Sequence, residues 1–182
     1  MENIIFLDID GVINDNICKI SLESILVLKQ LIKKYNAKIV MITSRQMNGV
    51  ERRRNQIRQQ FEEFNIYNID FIDPNFKGSI CDIILPSRLL GIVDYLKNKE
   101  KCNYIILDDE FSNDYKLVCL NYYKTKQFKG LTNNDLSKIE LKSFNLNNFN
   151  YINYNYRKLG EYEIITNKLI KVLKKKYDLD TK

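Results

Sequence analysis

Three short apolar runs, each ending in carboxylates or hydroxyls, set the strongest limit on what this chain can fold into. They are NIIFLD (3–8), KIVMITS (38–44) and YIILDDE (104–110). A short apolar run with no polar alternation suits a strand buried on both faces. Amphipathic stretches lie between them. Behind Ser21, a natural N-cap, Leu22, Ile25, Leu26, Leu28, Leu31, Ile32 and Tyr35 recur at helical spacing. A second helix is predicted over about 50–64, with Val50, Ile57, Phe61 and Phe64 on one face and arginines on the other. From Arg88 the pattern is helical again, with Leu89, Ile92, Val93 and Leu96 inward. Buried strands alternating with amphipathic helices predict an α/β domain, built in three layers around a parallel sheet.

The remaining segments are read with the same rules. IYNIDFID (66–73) reads as a strand broken at Asp73-Pro74, residues 75–87 as irregular around Gly78 and Pro86, and LVCLN (117–121) as a further strand. LTNNDLSKIEL (131–141) has a Thr132 cap and helical spacing. The Asn- and Tyr-rich stretch 144–157 reads as a loop or edge strand, and about 160–177 as a helix burying Tyr162, Ile165, Leu169, Val172 and Leu173. The 182 residues suit one domain, with a core over 1–141 and a C-terminal segment and helix, 142–182, packed on it.

The chain contains no histidine. Ser-His-Asp and Cys-His catalysis, His-ligated zinc and His general bases are therefore excluded, and any chemistry must run on carboxylates, hydroxyls, amines or a hard metal. Cys18, Cys81, Cys102 and Cys119 form no C-x-x-C pair and read as reduced thiols in or near the core. The acidic start MENIIFLDID lacks the basic stretch of a signal peptide, and no apolar run is long enough for a membrane span. The expectation is a cytoplasmic protein with no membrane partner. The formal charge is +6, and five of the seven arginines (Arg45, Arg52, Arg53, Arg54, Arg58) fall within fourteen residues. Lys168, Lys171, Lys174, Lys175 and Lys176 form a second basic run. Each suits either an anionic partner or a solvated helix face.

In an open parallel sheet the C-terminal strand ends share one crevice. Asp8 and Asp10, Thr43 and Ser44, and Asp108 and Asp109 should therefore converge. Extended backbone would turn Asp8 and Asp10 to the same side, and Gly11 would let the chain turn away. Four carboxylates in one crevice need a cation, and oxygen-only ligands favour Mg²⁺ over zinc. Beside Mg²⁺, Asp8 could attack a phosphoryl group and form an acyl phosphate, with Asp10 as acid and then base. Thr43 or Ser44 could hydrogen-bond a phosphoryl oxygen. Arg88 and Lys77 are the candidates for a second cation that holds Asp8 ionised.

With these residues in place, the chain resembles the haloacid dehalogenase-like (HAD) superfamily. IIFLDIDGV (4–12) matches its first motif, IVMITS its second, with Thr43 ahead of Ser44, and YIILDD its fourth. More narrowly, RLLGIVDYL before that last strand and KGLT after it are similar to the small HAD domains of Swiss Army Knife RNA repair proteins. The resemblance spans roughly 3–141 and implies a three-layer, Rossmann-like core. It also implies that Asp8 carries the phosphoryl group and that Asp10 is the acid/base and gives its backbone carbonyl to Mg²⁺. Asp108 or Asp109 would complete the metal shell, and Arg88 would take the place of the third-motif cation. The branch usually carries a tryptophan-arginine pair after the second motif, whereas this chain has Thr43-Ser44-Arg45 and no tryptophan.

HAD enzymes select small molecules with inserted caps. Only 32 residues separate Asp10 from Thr43 and 43 separate Ser44 from Arg88, which leaves no room for a large cap. An open crevice suits a phosphate at the end of a large molecule. The arginine cluster (Arg45, Arg52, Arg53, Arg54, Arg58) would form a nucleic-acid rim beside it. The reading is a Mg²⁺-dependent phosphohydrolase acting on RNA or DNA ends, then nucleotides, then phosphoproteins. The alternative is an HAD-fold module that binds nucleic acid or a partner without catalysis.

Overall fold

The computed structural model describes residues 1–14, 19–43, 50–72, 88, 91–92, 95–96, 99, 101–110, 120–126 and 129–144. Ser44, Arg45, Lys77, Leu89, Val93, three of the four cysteines, the 75–87 segment, most of the 144–157 stretch, the C-terminal lysines and the terminal helix lie outside the described residues.

The apolar runs form β1 (Glu2–Leu7), β2 (Lys38–Met41) and β4 (Cys102–Asp108). With β3 (Asp70–Phe71) and β5 (Tyr122–Lys124) they make a parallel sheet in the order β3-β2-β1-β4-β5. A sixth strand, β6 (Lys142–Ser143), pairs antiparallel with the first residues of β4. Leu7 pairs with both Met41 and Leu107, so the three long strands end at one level. Side chains alternate between faces as the pleat requires. Ile5, Leu7, Ile39, Met41, Ile105 and Leu107 pack with residues of the first two helices; Ile4, Phe6, Val40, Ile42, Tyr104 and Ile106 pack with helical Ile92 and Leu96. Both faces are thus covered, which is why the strands read as continuous apolar runs.

Helix α1 (Leu22–Tyr35) starts at Ser21, whose hydroxyl accepts the Ser24 N–H, and ends at Asn36 in the left-handed region, φ 46°. Its buried side is Ser24, Ile25, Val27, Leu28 and Leu31. Leu22 and Leu26, expected inward, are instead exposed. At 100° per residue they fall about 180° and about 140° from Leu31, so helical spacing alone had grouped two faces. Helix α2 (Val50–Glu62) buries Ile57 and Phe61, and Phe64 packs against the same cluster just past its end. Its arginines do not all face outward. Arg54 and Arg58 are half-buried over the Phe71 ring, 5.3 and 4.9 Å from its centroid, and Arg54 donates to the Ile72 carbonyl at 3.0 Å.

Two predicted elements differ. The strand expected over 66–73 shortens to Asp70–Phe71, because Asn65 and Asn68 adopt positive φ (55° and 59°) and break the extended run. Of LVCLN, residues 117–119 lie outside the described residues; Leu120 is buried, and β5 starts at Tyr122. The expected helix 131–141 is only a 3₁₀ turn, Asn133–Asp135. The Asp135 carboxylate accepts from the Thr132 N–H and hydroxyl, both at 2.8 Å, and from Tyr123, so local side-chain bonding outcompetes helix propagation. Among the described residues, no helix is long and apolar enough to cross a membrane.

Candidate metal and phosphoryl site

The site lies at the C-terminal edge of the sheet. Ladder bonds there run from the Asp8 N–H to Leu107 at 3.0 Å, from Ile42 to Leu7 at 3.0 Å and from Thr125 to Asp108 at 3.1 Å. They fix the backbones that carry Asp8, Thr43 and Asp108 side by side. Asp8, Thr43, Arg88 and Asp108 are all buried, and Asp109 is half-buried.

Arg88 joins two of the acids. Its Nη1 donates to Asp8 Oδ2 at 3.2 Å and to Asp108 Oδ2 at 2.5 Å. The remaining oxygens are also engaged: Asp8 Oδ1 accepts the Ile9 N–H and Asp108 Oδ1 the Glu110 N–H, each at 2.8 Å. Asp8, Asp108 and Asp109 each bring a carboxylate oxygen to within 4.8 Å of the others.

Electrostatics explains what this cluster lacks. Burial raises the Asp8 carboxyl above its ordinary range, the Arg88 guanidinium pulls it back, and Asp108 and Asp10 push it up again. Burial, then Asp8 and Asp108, push Asp109 up to about 6. Among the described residues, one guanidinium is set against three carboxylates. A further cation would relieve the mismatch, and an all-carboxylate donor set fits a hard ion such as Mg²⁺.

Asp10 is not one of the three acids whose carboxylate oxygens lie within 4.8 Å of one another. Backbone extension ends at Leu7, and the chain turns at once, with the Val12 and Ile13 N–H groups donating to the Ile9 carbonyl at 3.3 and 3.1 Å. The extended backbone behind the period-two argument therefore ends before Asp8, although the Asp10 charge still reaches Asp8 and pushes its carboxyl up. Asp10 Oδ1 accepts instead from Asn14 Nδ2 at 2.7 Å, and Asn14 Oδ1 accepts the Gly11 N–H at 2.7 Å. Thr125 Oγ1 donates to the Gly11 carbonyl at 2.9 Å.

Asn14 and Thr125 are therefore supports that the sequence reading missed. Asn14 stands four residues after Asp10 across a glycine, a turn-bonding pattern that could have been noticed. Thr125 carried no local signal, since its partner is 114 residues away. Of the paired alternatives, Thr43 and Arg88 stand at this edge, while Ser44 and Lys77 lie outside the described residues.

The motifs in their strand context also agree with a comparison to known proteins. A family described as the HAD domain in Swiss Army Knife RNA repair proteins matches residues 4–136. No curated protein and no solved structure matches the chain. The match takes in Asp8, the parallel strands from Ile4 onward, Asp108 and Asp109, and on it the chain belongs to the HAD domains of Swiss Army Knife RNA repair proteins.

Proposed function

We propose that the chain is a Mg²⁺-dependent phosphohydrolase with a three-layer, Rossmann-like core and no large cap, acting on the phosphate end of a nucleic acid or on a nucleotide. The observation that carries this reading is the grouping of Asp8, Asp108 and Asp109 at the C-terminal edge of the sheet, with Arg88 paired to the first two. Two further points support it. The family is one of RNA repair proteins, and the chain between Asp10 and Thr43 is taken up largely by the turn, α1 and β2, leaving little for a cap.

Asp8 is the nucleophile. One of its carboxylate oxygens attacks phosphorus, the bond to the leaving oxygen breaks, and that oxygen takes a proton from Asp10. Water then attacks the aspartyl phosphate, gives its proton to Asp10, and releases inorganic phosphate with Asp8 regenerated. Arg88 orients Asp8 and favours its ionised form against the effect of burial. Asn14 holds Asp10 at the start of the turn, and the Thr43 hydroxyl binds a phosphoryl oxygen. Mg²⁺ held by Asp8, Asp108 and Asp109, with the Asp10 carbonyl, would neutralise charge on the transferring group.

The test is Mg²⁺-dependent phosphate release by wild type and Asp8→Asn. The panel comprises 3′- and 5′-phosphorylated oligonucleotides, nucleotides and an aryl phosphate. Turnover should vanish in the variant while phosphate binding persists. Full activity in Asp8→Asn overturns the nucleophile assignment, and silence of the wild type on every substrate overturns the enzyme.

A further inference from the structure

The four described arginines of the cluster, Arg52, Arg53, Arg54 and Arg58, differ in what they touch. Arg54 and Arg58 clasp Phe71, and Arg58 also donates to Asn55 at 2.8 Å and pairs with Glu51 at 3.4 Å. Arg54 is tied to the Ile72 carbonyl, immediately past β3. Both guanidinium groups are committed to holding α2 against the edge strand. Arg52 and Arg53 are exposed, and among the described residues neither side chain has an ion pair or hydrogen bond.

Their position is set by the fold. The chain leaves β2 at the C-terminal edge, enters α2 and returns to β3, so the first turns of α2 lie at the edge that carries the carboxylates. The Arg54 bond to Ile72 pins them there, because Ile72 itself continues the ladder onto Met41 at that edge. Arg53 and Ile57 are four residues apart and share one side of the helix, yet Ile57 is buried and Arg53 exposed. The first turn therefore overhangs the end of the core. It carries two unneutralised cations beyond the sheet, on the side where a substrate must approach an acidic crevice.

We infer that Arg52 and Arg53 form a track for the phosphodiester backbone of a single-stranded nucleic acid whose phosphorylated end enters the crevice, while Arg54 and Arg58 only brace the helix. The inference rests on the proposed reading of the crevice as a phosphate site and narrows its substrate from a nucleic-acid end or a nucleotide to the end of a single strand. Two guanidiniums meeting successive backbone phosphates need no base contact, so the track is indifferent to sequence. Each neutralised phosphate of a single strand contributes about 0.7 to the slope of log K against log salt.

Binding of a fluorescent, 3′-phosphorylated decanucleotide, read by anisotropy across a salt series, tests this without requiring turnover. In the double variant Arg52→Ala, Arg53→Ala, affinity at low salt should fall at least tenfold and the slope should drop by about 1.4. The double Lys variant should retain the slope, because backbone phosphates accept a point charge. An unchanged slope in the Ala pair, or a slope lost equally in the Lys pair, overturns the track. The ratio of kcat/KM for the oligonucleotide over that for an aryl phosphate should also fall in the Ala pair. Wild type that binds the strand with the expected slope but releases no phosphate would overturn the enzymatic reading and leave the track standing.

Discussion

Asp109 fills the space where a side chain on residue 11 would begin. A Cβ built on Gly11 would lie 2.0 Å from Asp109 Oδ2 and 2.8 Å from its Cβ, and Gly11 has φ +69°. The glycine of the first motif thus serves two purposes: it adopts a left-handed conformation that other residues resist, and it leaves room for a carboxylate arriving from β4.

Gly11→Ala should accordingly damage the site more than the fold. The left-handed backbone costs about 1–2 kcal/mol for a residue with a Cβ, and Asp109 must swing away from Asp8 and Asp108. Isothermal titration with Mg²⁺ should show affinity reduced by at least tenfold, with the chain still folded by circular dichroism.

Arg88→Met should be among the most destabilising single changes in the metal-free protein. It leaves Asp8 and Asp108, both almost fully buried, facing each other without their shared guanidinium. Loss of one partner from a buried ion pair costs about 3–5 kcal/mol. Urea unfolding should register that loss, and Mg²⁺ should restore part of it by supplying positive charge to the same carboxylates. Arg88→Lys should lose less stability than Arg88→Met, since an ammonium keeps a positive charge beside the two acids, and the shorter reach and lost guanidinium shape account for the remainder.

The acids also predict a pH dependence. Asp109 is raised to about 6 from an ordinary value of 3.8, and Asp8 is raised as well. A carboxyl that binds its proton more tightly in the folded state contributes stability that is fully present below about pH 4 and is lost as pH rises through about 6. Asp70 and Asp135 are shifted the other way, by Lys38 and Tyr95 and by Tyr123 and Thr132, and their contributions are lost only as pH falls below their ordinary range. The metal-free melting temperature should therefore decline between about pH 4 and pH 7, and Mg²⁺ should flatten the decline. Mg²⁺ affinity should rise over the same window as protons leave Asp109.

Arg54→Ala should behave differently from changes at Arg52 and Arg53. It removes the guanidinium over Phe71 and the bond to the Ile72 carbonyl, at a cost of about 1–2 kcal/mol. Thermal unfolding should show a lower midpoint for Arg54→Ala and essentially none of that loss for Arg52→Ala.

Several features were legible because they depend on neighbours in the chain. The apolar runs of β1, β2 and β4, the Ser21 cap and the acids after each run are local patterns, and the parallel order of such strands brings their ends to one edge. Boundaries were legible only where local signals were strong. The extended run at 66–73 and the helix at 131–141 failed because Asn68 took a left-handed conformation and Asp135 was captured by Thr132 and Tyr123.

The sequence by itself determined the α/β class, the residue types gathered at the edge, and the exclusion of histidine chemistry. Only the tertiary structure decided how those residues divide the work. Arg88 reaches Asp8 across 80 positions and Asp108 across 20, Asp109 stands over Gly11, and Asp10 turns to Asn14. The same applies to the arginines, two of which brace Phe71 while two stand in solvent. Periodicity along a chain fixes which face of an element is apolar, whereas the pairing of charges and the closeness of backbones depend on distances between segments that no local pattern encodes.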